Sequence, residues 1–521
     1  MKANLKSSLI SPITIAGLLF FLGSTILTDQ PYLLMLTAAQ LIFVPIMLQL
    51  LLETKRYTVL IHWMAMLAVF LLFTVTSSTG QIILAFLYLL FTCYVAFRGA
   101  QRFFQRGFTN WAEISIDIGM MYLFIGGLWF FAYIAGIDTG FSPLITWLTA
   151  IHFHYSAFLL PVSLGLFGRL HDSALYRVIV SIILAGPMLV AIGITFSPIL
   201  EVLSVLLYIF AIYSFIILAF RTRFASQLQG VLIRLSYCAL GITILFSMLY
   251  AAGNAFGLWS ISMDVMLTFH GFLNCVVFGL AGVIGWVLAP PATKQGEWNF
   301  PVSQLRGRLK DSGKPYAGLV DHLHEFVDTK ALPKTIVDFY EQTNQYQLLA
   351  SVKWAVWFKP FAFCYKLIST RLQQLNLPLT SKWTEMTFTL QAVDPLLDGR
   401  QRPRAWIRQV NNKTVFTAIY SQHESAGRTY MNIALPLPGS SMIGILQLDV
   451  VGDSLILSSK GNGDAGIYLA VGRNLFMLPL SEYFYLTETS EGHLTAKHWM
   501  RIFGIPFLQI DYLIHAKKNF T

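Results

Sequence analysis

Two histidines and a tyrosine, His152, His154 and Tyr155, stand in the middle of an apolar run, residues 142–168, read as SPLITWLTAIHFHYSAFLLPVSLGLFG. Ionisable side chains at bilayer depth are costly by several kcal/mol, so they mark a pathway, a relay or a ligand site. On an unbroken helix, residues two apart point about 200° from each other, which keeps His152 and His154 from chelating one metal. Each must face a different neighbour, as part of a pathway or as a structural hydrogen-bonding group between helices. At 1.5 Å per residue, His154 lies about 12 Å from the inner face of a core about 30 Å thick. The preceding apolar run begins NWAEISIDIG and places Asp117 about 9 Å from that face. A short loop joins the two runs, so they are antiparallel neighbours and Asp117 is expected to meet His154. Glu113 lies one turn below Asp117, either extending the pair or snorkelling to the interface. A later run, LTFHGFLNCVVFGL, sets His270 and Asn274 one turn apart on one face. From outside to inside the candidates read His270, His152, His154, Asp117 and Glu113, a ladder for protons or a small polar substrate. The alternative chemistry is redox: His270 with His152 or His154 would ligate haem b or a metal from facing helices. Otherwise no cofactor is expected.

These residues need a helical cage. At about 20 apolar residues per crossing, roughly ten spans are expected, at 9–27, 31–52, 58–76, 80–97, 112–136, 142–168, 177–197, 200–220, 235–256 and 263–289. Lys2 and Lys6 precede the first, but no small-residue cleavage site closes it, so it is expected to be retained. All twelve basic residues before position 290, from Lys2, Lys6 and Lys55 to Arg223 and Arg234, fall at the N-terminus or in even-numbered loops. The odd loops carry Asp29, Asp138, Glu201 and Asp264. By the positive-inside rule both termini are cytoplasmic, and the expected location is a bacterial cytoplasmic (inner) membrane.

Composition agrees with this division. The 521 residues are 55% hydrophobic and 12% charged, with mean hydropathy +0.61. Of 62 charged residues, 20 lie in residues 1–290 and 42 in the rest. A membrane domain at 1–290, a linker at 291–315 and a soluble α+β domain at 316–521 are therefore expected. The net charge of +10 reflects basic residues beside membrane helices, so the bilayer is the expected partner and nucleic acid is not. Four cysteines without CxxC spacing argue against a disulfide framework.

In the soluble part, residues 302–345 read as short helices. Residues 346–378 interleave Trp354, Trp357, Phe361 and Phe363 with Lys353, Lys359 and Lys366, which suits a segment lying on a membrane surface or a helix buried against a sheet. From Trp383 the period changes to two, and about nine or ten strands are expected in a curved antiparallel sheet. Gly461–Gly466 matches GxGxxG but precedes a strand-like run, so it is not a dinucleotide fingerprint. Asn412-Lys413-Thr414 is a glycosylation sequon on the expected cytoplasmic side, where it is inert. No P-loop, GxSxG, HExxH or clustered HxxHH pattern occurs, which argues against an ATP-driven pump, an α/β-hydrolase and a membrane di-iron oxygenase.

EISIDIGMMYLFIGGLWFF, LTAIHFHYSAFLLP and FHGFLN together resemble the YndJ-like family of bacterial integral membrane proteins over about residues 1–290. Ser156 stands where a small residue is usual. The resemblance implies a transporter-like membrane protein and supplies no catalytic residues. The combined expectation is a secondary, proton-coupled carrier of a small solute or lipid-like molecule, with a cytoplasmic ligand- or partner-binding domain. The alternatives are a haem or metal redox or lipid-modifying enzyme, and a membrane-anchored sensor whose soluble domain binds an apolar ligand.

Overall fold

The computed structural model describes residues 11–52, 56–257, 261–293, 298, 300–309, 313–461 and 463–517. Lys2, Lys6, Lys55 and Asn462 lie outside the described residues. The chain divides into two compact units, residues 1–103 with 110–295 and residues 104–109 with 296–521.

The first unit is helical. In chain order its helices are α1 (Pro12–Leu27), α2 (Leu33–Leu51), α3 (Arg56–Leu71), α4 (Ser78–Arg106), α5 (Trp111–Ala135), α6 (Pro143–Gly168), α7 (Ala174–Phe196), α8 (Pro198–Arg221), α9 (Gln227–Phe256) and α10 (Met263–Leu288). Among the described residues, eight are long and apolar enough to cross a membrane; α1 and α3 are shorter, at 16 residues each. Their starts are written in the sequence. Ser11, Ser142, Ser173, Ser197, Ser226 and Ser262 each accept a hydrogen bond from an N–H of the first turn, and proline follows at Pro12, Pro143 and Pro198. Gly136 and Gly257, at φ 62° and 67°, end α5 and α9 in the left-handed conformation that glycine tolerates best.

Three helices widen into π turns: α2 at Ala39–Phe43, α6 at Tyr155–Leu159, and α10 at Met266–Gly271 and Leu273–Ala281. In α2 and α6 the cause is visible. Pro45 and Pro161 each follow the π turn by two residues, lack an N–H for the carbonyl four residues back, and crowd it. The unbroken helix expected at His152–Tyr155 therefore ends in a wider turn at Tyr155.

Among the described residues of the second unit, twelve antiparallel strands form one sheet, from β1 (Tyr346–Trp354) to β12 (Ile505–Ala516). The curved sheet expected from the alternation is instead a closed barrel. β6 (Ser440–Val451) is twelve residues long; Ser440–Leu446 pairs with β5 (Arg428–Leu437) and Gln447–Val451 pairs with β7 (Ser454–Ser458), so ten strands join into a ring. Closure leaves the ring without an unpaired edge. The hairpin of β8 (Gly466–Val471) and β9 (Asn474–Met477) adds to the first half of β6. GxGxxG thus leads into a strand, as expected. Alternate residues point inward, including Trp406, Tyr420, Leu446, Leu457 and Tyr512, and make the larger core with α11 (Lys334–Glu341). A smaller core on the other face gathers Ala405, Ile419 and Ile443 under Phe300. In the stretch of residues 346–378, β1 is followed by α12 (Lys359–Leu372), whose Phe361, Phe363 and Leu367 are exposed rather than buried against the sheet.

Candidate functional site

The expected ladder resolves into three separate groups. The first lines two adjoining cavities of about 230 and 240 Å³ that share His152, Ser156, His270 and Asn274. The His152 and His270 rings face each other with centroids 6.4 Å apart. His152 Nδ1 donates to the Leu148 carbonyl at 2.7 Å, and His270 Nδ1 donates to the Thr243 carbonyl at 3.1 Å. A carbonyl can only accept, so each Nδ1 carries the proton and each Nε2 of the neutral ring keeps a lone pair. Asn274 Oδ1 accepts from Thr243 Oγ1 at 3.1 Å. Glu201, read in the sequence as a loop acid, is buried in the first turn of α8 and reaches the cavity with Asn254 and Tyr250. The Ser197-Pro198 start of α8 was the signal that could have placed it on a helix.

The second group is His154 with Tyr88. His154 Nδ1 donates to the Ala150 carbonyl at 2.8 Å, so Nε2 accepts the Tyr88 hydroxyl, also at 2.8 Å. With both ring nitrogens engaged, the expected pair of His154 with Asp117 does not form. Tyr155, one residue on, donates from its hydroxyl to the Met35 carbonyl at 2.8 Å and lies 2.9 Å from Cys275 Sγ.

The third group is ionic. Arg102 Nε donates to Asp117 Oδ1 at 2.6 Å, and its Nη2 donates to Glu113 Oε2 at 3.0 Å. Arg169 grips Glu113 with two bonds, Nε to Oε1 at 2.8 Å and Nη2 to Oε2 at 3.1 Å. Two acids and two arginines, all at most 9% exposed, make a neutral network in which Glu113 bridges both cations. Glu113 is therefore no snorkelling acid. By sequence alone Arg102 and Arg169 are loop residues. Arg102 sits inside α4 because that helix continues to Arg106, nine residues beyond its expected end at 97. Among the described residues no three His, Cys, Asp or Glu side chains converge as metal ligands.

Apolar helices around a cavity with a few polar groups in its wall, joined in sequence to a closed barrel, define a polytopic membrane protein of two units. A family model described as YndJ-like protein matches residues 34–278. The chain is 38% identical over 454 residues to "Uncharacterized membrane protein YndJ" of Bacillus subtilis (strain 168), with 82% of this chain and 83% of the relative covered. The protein belongs to the YndJ-like family. No solved structure matches it.

Proposed function

We propose that the membrane unit is a secondary carrier, taking a small polar or lipid-like solute through the cavity between α6, α8, α9 and α10. The observation that carries this reading is the wall itself. His152, Ser156, Glu201, Ser247, His270 and Asn274 project from four apolar helices into one space, two of them widened by π turns. Polar groups at such depth mark substrate paths, and carriers place their sites where helices depart from regular geometry. Proton coupling, in this reading, belongs to Glu201, His152 and His270. Asp117, Glu113 and His154 serve as structure. The reading also takes a bacterial cytoplasmic membrane with both termini in the cytoplasm, from the one-sided distribution of basic residues.

The test is access. In a chain whose four cysteines are replaced, Ser156→Cys should react with a charged maleimide from either side of sealed vesicles. Reaction from one side alone defeats alternating access.

One observation favours the second reading, a redox site. The two rings lie with centroids 6.4 Å apart while each Nδ1 is held by a carbonyl, which leaves each Nε2 free to ligate as in metal-bound histidines. A Soret band lost in His270→Ala would support haem ligation by His152 and His270. A colourless, metal-free preparation would remove this reading.

A further inference from the structure

The interior of the barrel is unlike an ordinary core. Its inward residues are largely apolar, among them Leu348, Met431, Leu446, Leu486 and Ile514, yet they enclose a cavity of about 90 Å³. A single water needs only about 10–15 Å³ measured in this way, so the space has room for several. Into it project Arg408, Glu482, His498 and Tyr512 from four different strands.

These polar groups meet one another only loosely: His498 Nε2 stands 3.8 Å from Glu482 Oε2, beyond hydrogen-bond reach. Trp406 Nε1, Arg408 Nε, the Tyr512 hydroxyl and both ring nitrogens of His498 are buried without a hydrogen-bond partner, and each residue is at least 92% buried. Arg408 forms no ion pair among the described residues. Its guanidinium lies instead between the rings of Trp406 at 4.4 Å and Phe416 at 4.3 Å. Leaving such groups unpaired is costly, most of all for a charge. The orphaned atoms are chiefly donors around a cation, and they call for oxygen acceptors bearing negative charge.

We infer that the barrel binds a carboxylate-headed hydrocarbon, its two oxygens held by Arg408, Trp406 and Tyr512 and its tail laid along the apolar wall. The guanidinium fork matches a carboxylate, and the two flanking rings fix the plane of that fork. The site is separate from the carrier cavity and does not depend on the carrier reading.

Dodecanoate, binding to the full-length protein in a non-ionic detergent, is the probe, read by equilibrium dialysis against detergent alone. Dodecanoate should bind saturably, and dodecanol and methyl dodecanoate at least tenfold more weakly. Arg408→Met should weaken dodecanoate at least tenfold while leaving dodecanol unchanged. Tyr512→Phe, which keeps the ring and guards against a folding defect, should weaken it severalfold. Binding should also fall as pH rises through about 7, because burial holds Glu482 protonated up to that pH. Once ionised, Glu482 competes for the same Arg408, with His498, Tyr420 and Tyr512 facing the same space. Equal affinity for acid and alcohol, an unaltered Arg408→Met, or no binding beyond the micelle background would each overturn the proposal and leave a water-filled core. Labelling of Ser156→Cys is untouched by any of these outcomes, so failure here and failure of the carrier reading are told apart.

Discussion

Glu113 decides how the acids of α5 rank. On depth alone Asp117 looks the more consequential, being further from the interface. The geometry reverses that order, because Glu113 holds Arg102 and Arg169 while Asp117 is bonded to Arg102. Removing one partner of a buried ionic network strands a charge, at a cost of about 3–5 kcal/mol. Glu113→Gln should therefore lower the unfolding temperature of the detergent-solubilised protein more than Asp117→Asn; the opposite order would mean that Arg169 finds another anion. For His154 the relevant partner is Tyr88. In a double-mutant cycle the two should couple by at least about 0.5 kcal/mol in unfolding free energy, whereas His154 and Asp117 should be additive. The histidines and acids were legible because charged or polar types are rare in apolar runs. Their partners were not, because Tyr88 is an ordinary residue in a long helix and the arginines read as loop residues.

At the scale of elements, the serine and proline starts and the positions of the apolar runs were plain in the sequence. The π turns were not, since a proline reports a lost donor but not how the chain relieves it. In the barrel unit the same gap appears at Arg400. It is fully buried, grips Asp398 with bonds of 2.6 and 3.1 Å, and donates to the Asn432 side chain and carbonyl, both at 2.8 Å. This ties the short connection before β3 (Arg404–Val410) to β5. Arg400→Met should destabilise the barrel by about 3–5 kcal/mol, because Asp398 is left buried without its cation. Hydrogen exchange on β5 amides measures it, and protection equal to wild type would show that Asp398 is neutralised another way.

For the whole molecule, two inward groups set the pH dependence of the barrel. Burial raises Glu482 from 4.5 to about 7, and burial with Arg408 lowers His498 from 6.5 to about 3. The stability Glu482 contributes is complete below pH 4.5 and lost as pH rises through 7; that of His498 is complete above 6.5 and lost as pH falls toward 3. Between about 4.5 and 6.5 the two slopes cancel, so exchange protection of β10 (Leu480–Glu488) and β11 (Leu494–Ile502) should be flat there and decline on either side. Glu482→Gln should abolish the alkaline decline and turn the flat stretch into a rise up to about pH 6.5, where His498 alone acts. Topology is the second test at this scale. Reporters after residues 105, 172 and 226 should lie on one side of the membrane and those at 29, 78, 138 and 199 on the other, and one robust reversal would change the span count.

What the sequence determined by itself was the presence and spacing of the apolar helices, because hydrophobic length is a local quantity set by the bilayer. It also marked His152, His270 and Asn274 as polar groups in apolar surroundings. Only the tertiary structure decided which of the ladder residues meet, since facing depends on helix rotation and neighbour choice rather than on depth. The barrel followed the same rule. Alternation identified strands such as β2 (Thr384–Ala392) and β5, but not β1, hidden in an aromatic and basic stretch. Closure rests on the β5–β6 pairing, a contact whose register no single strand encodes.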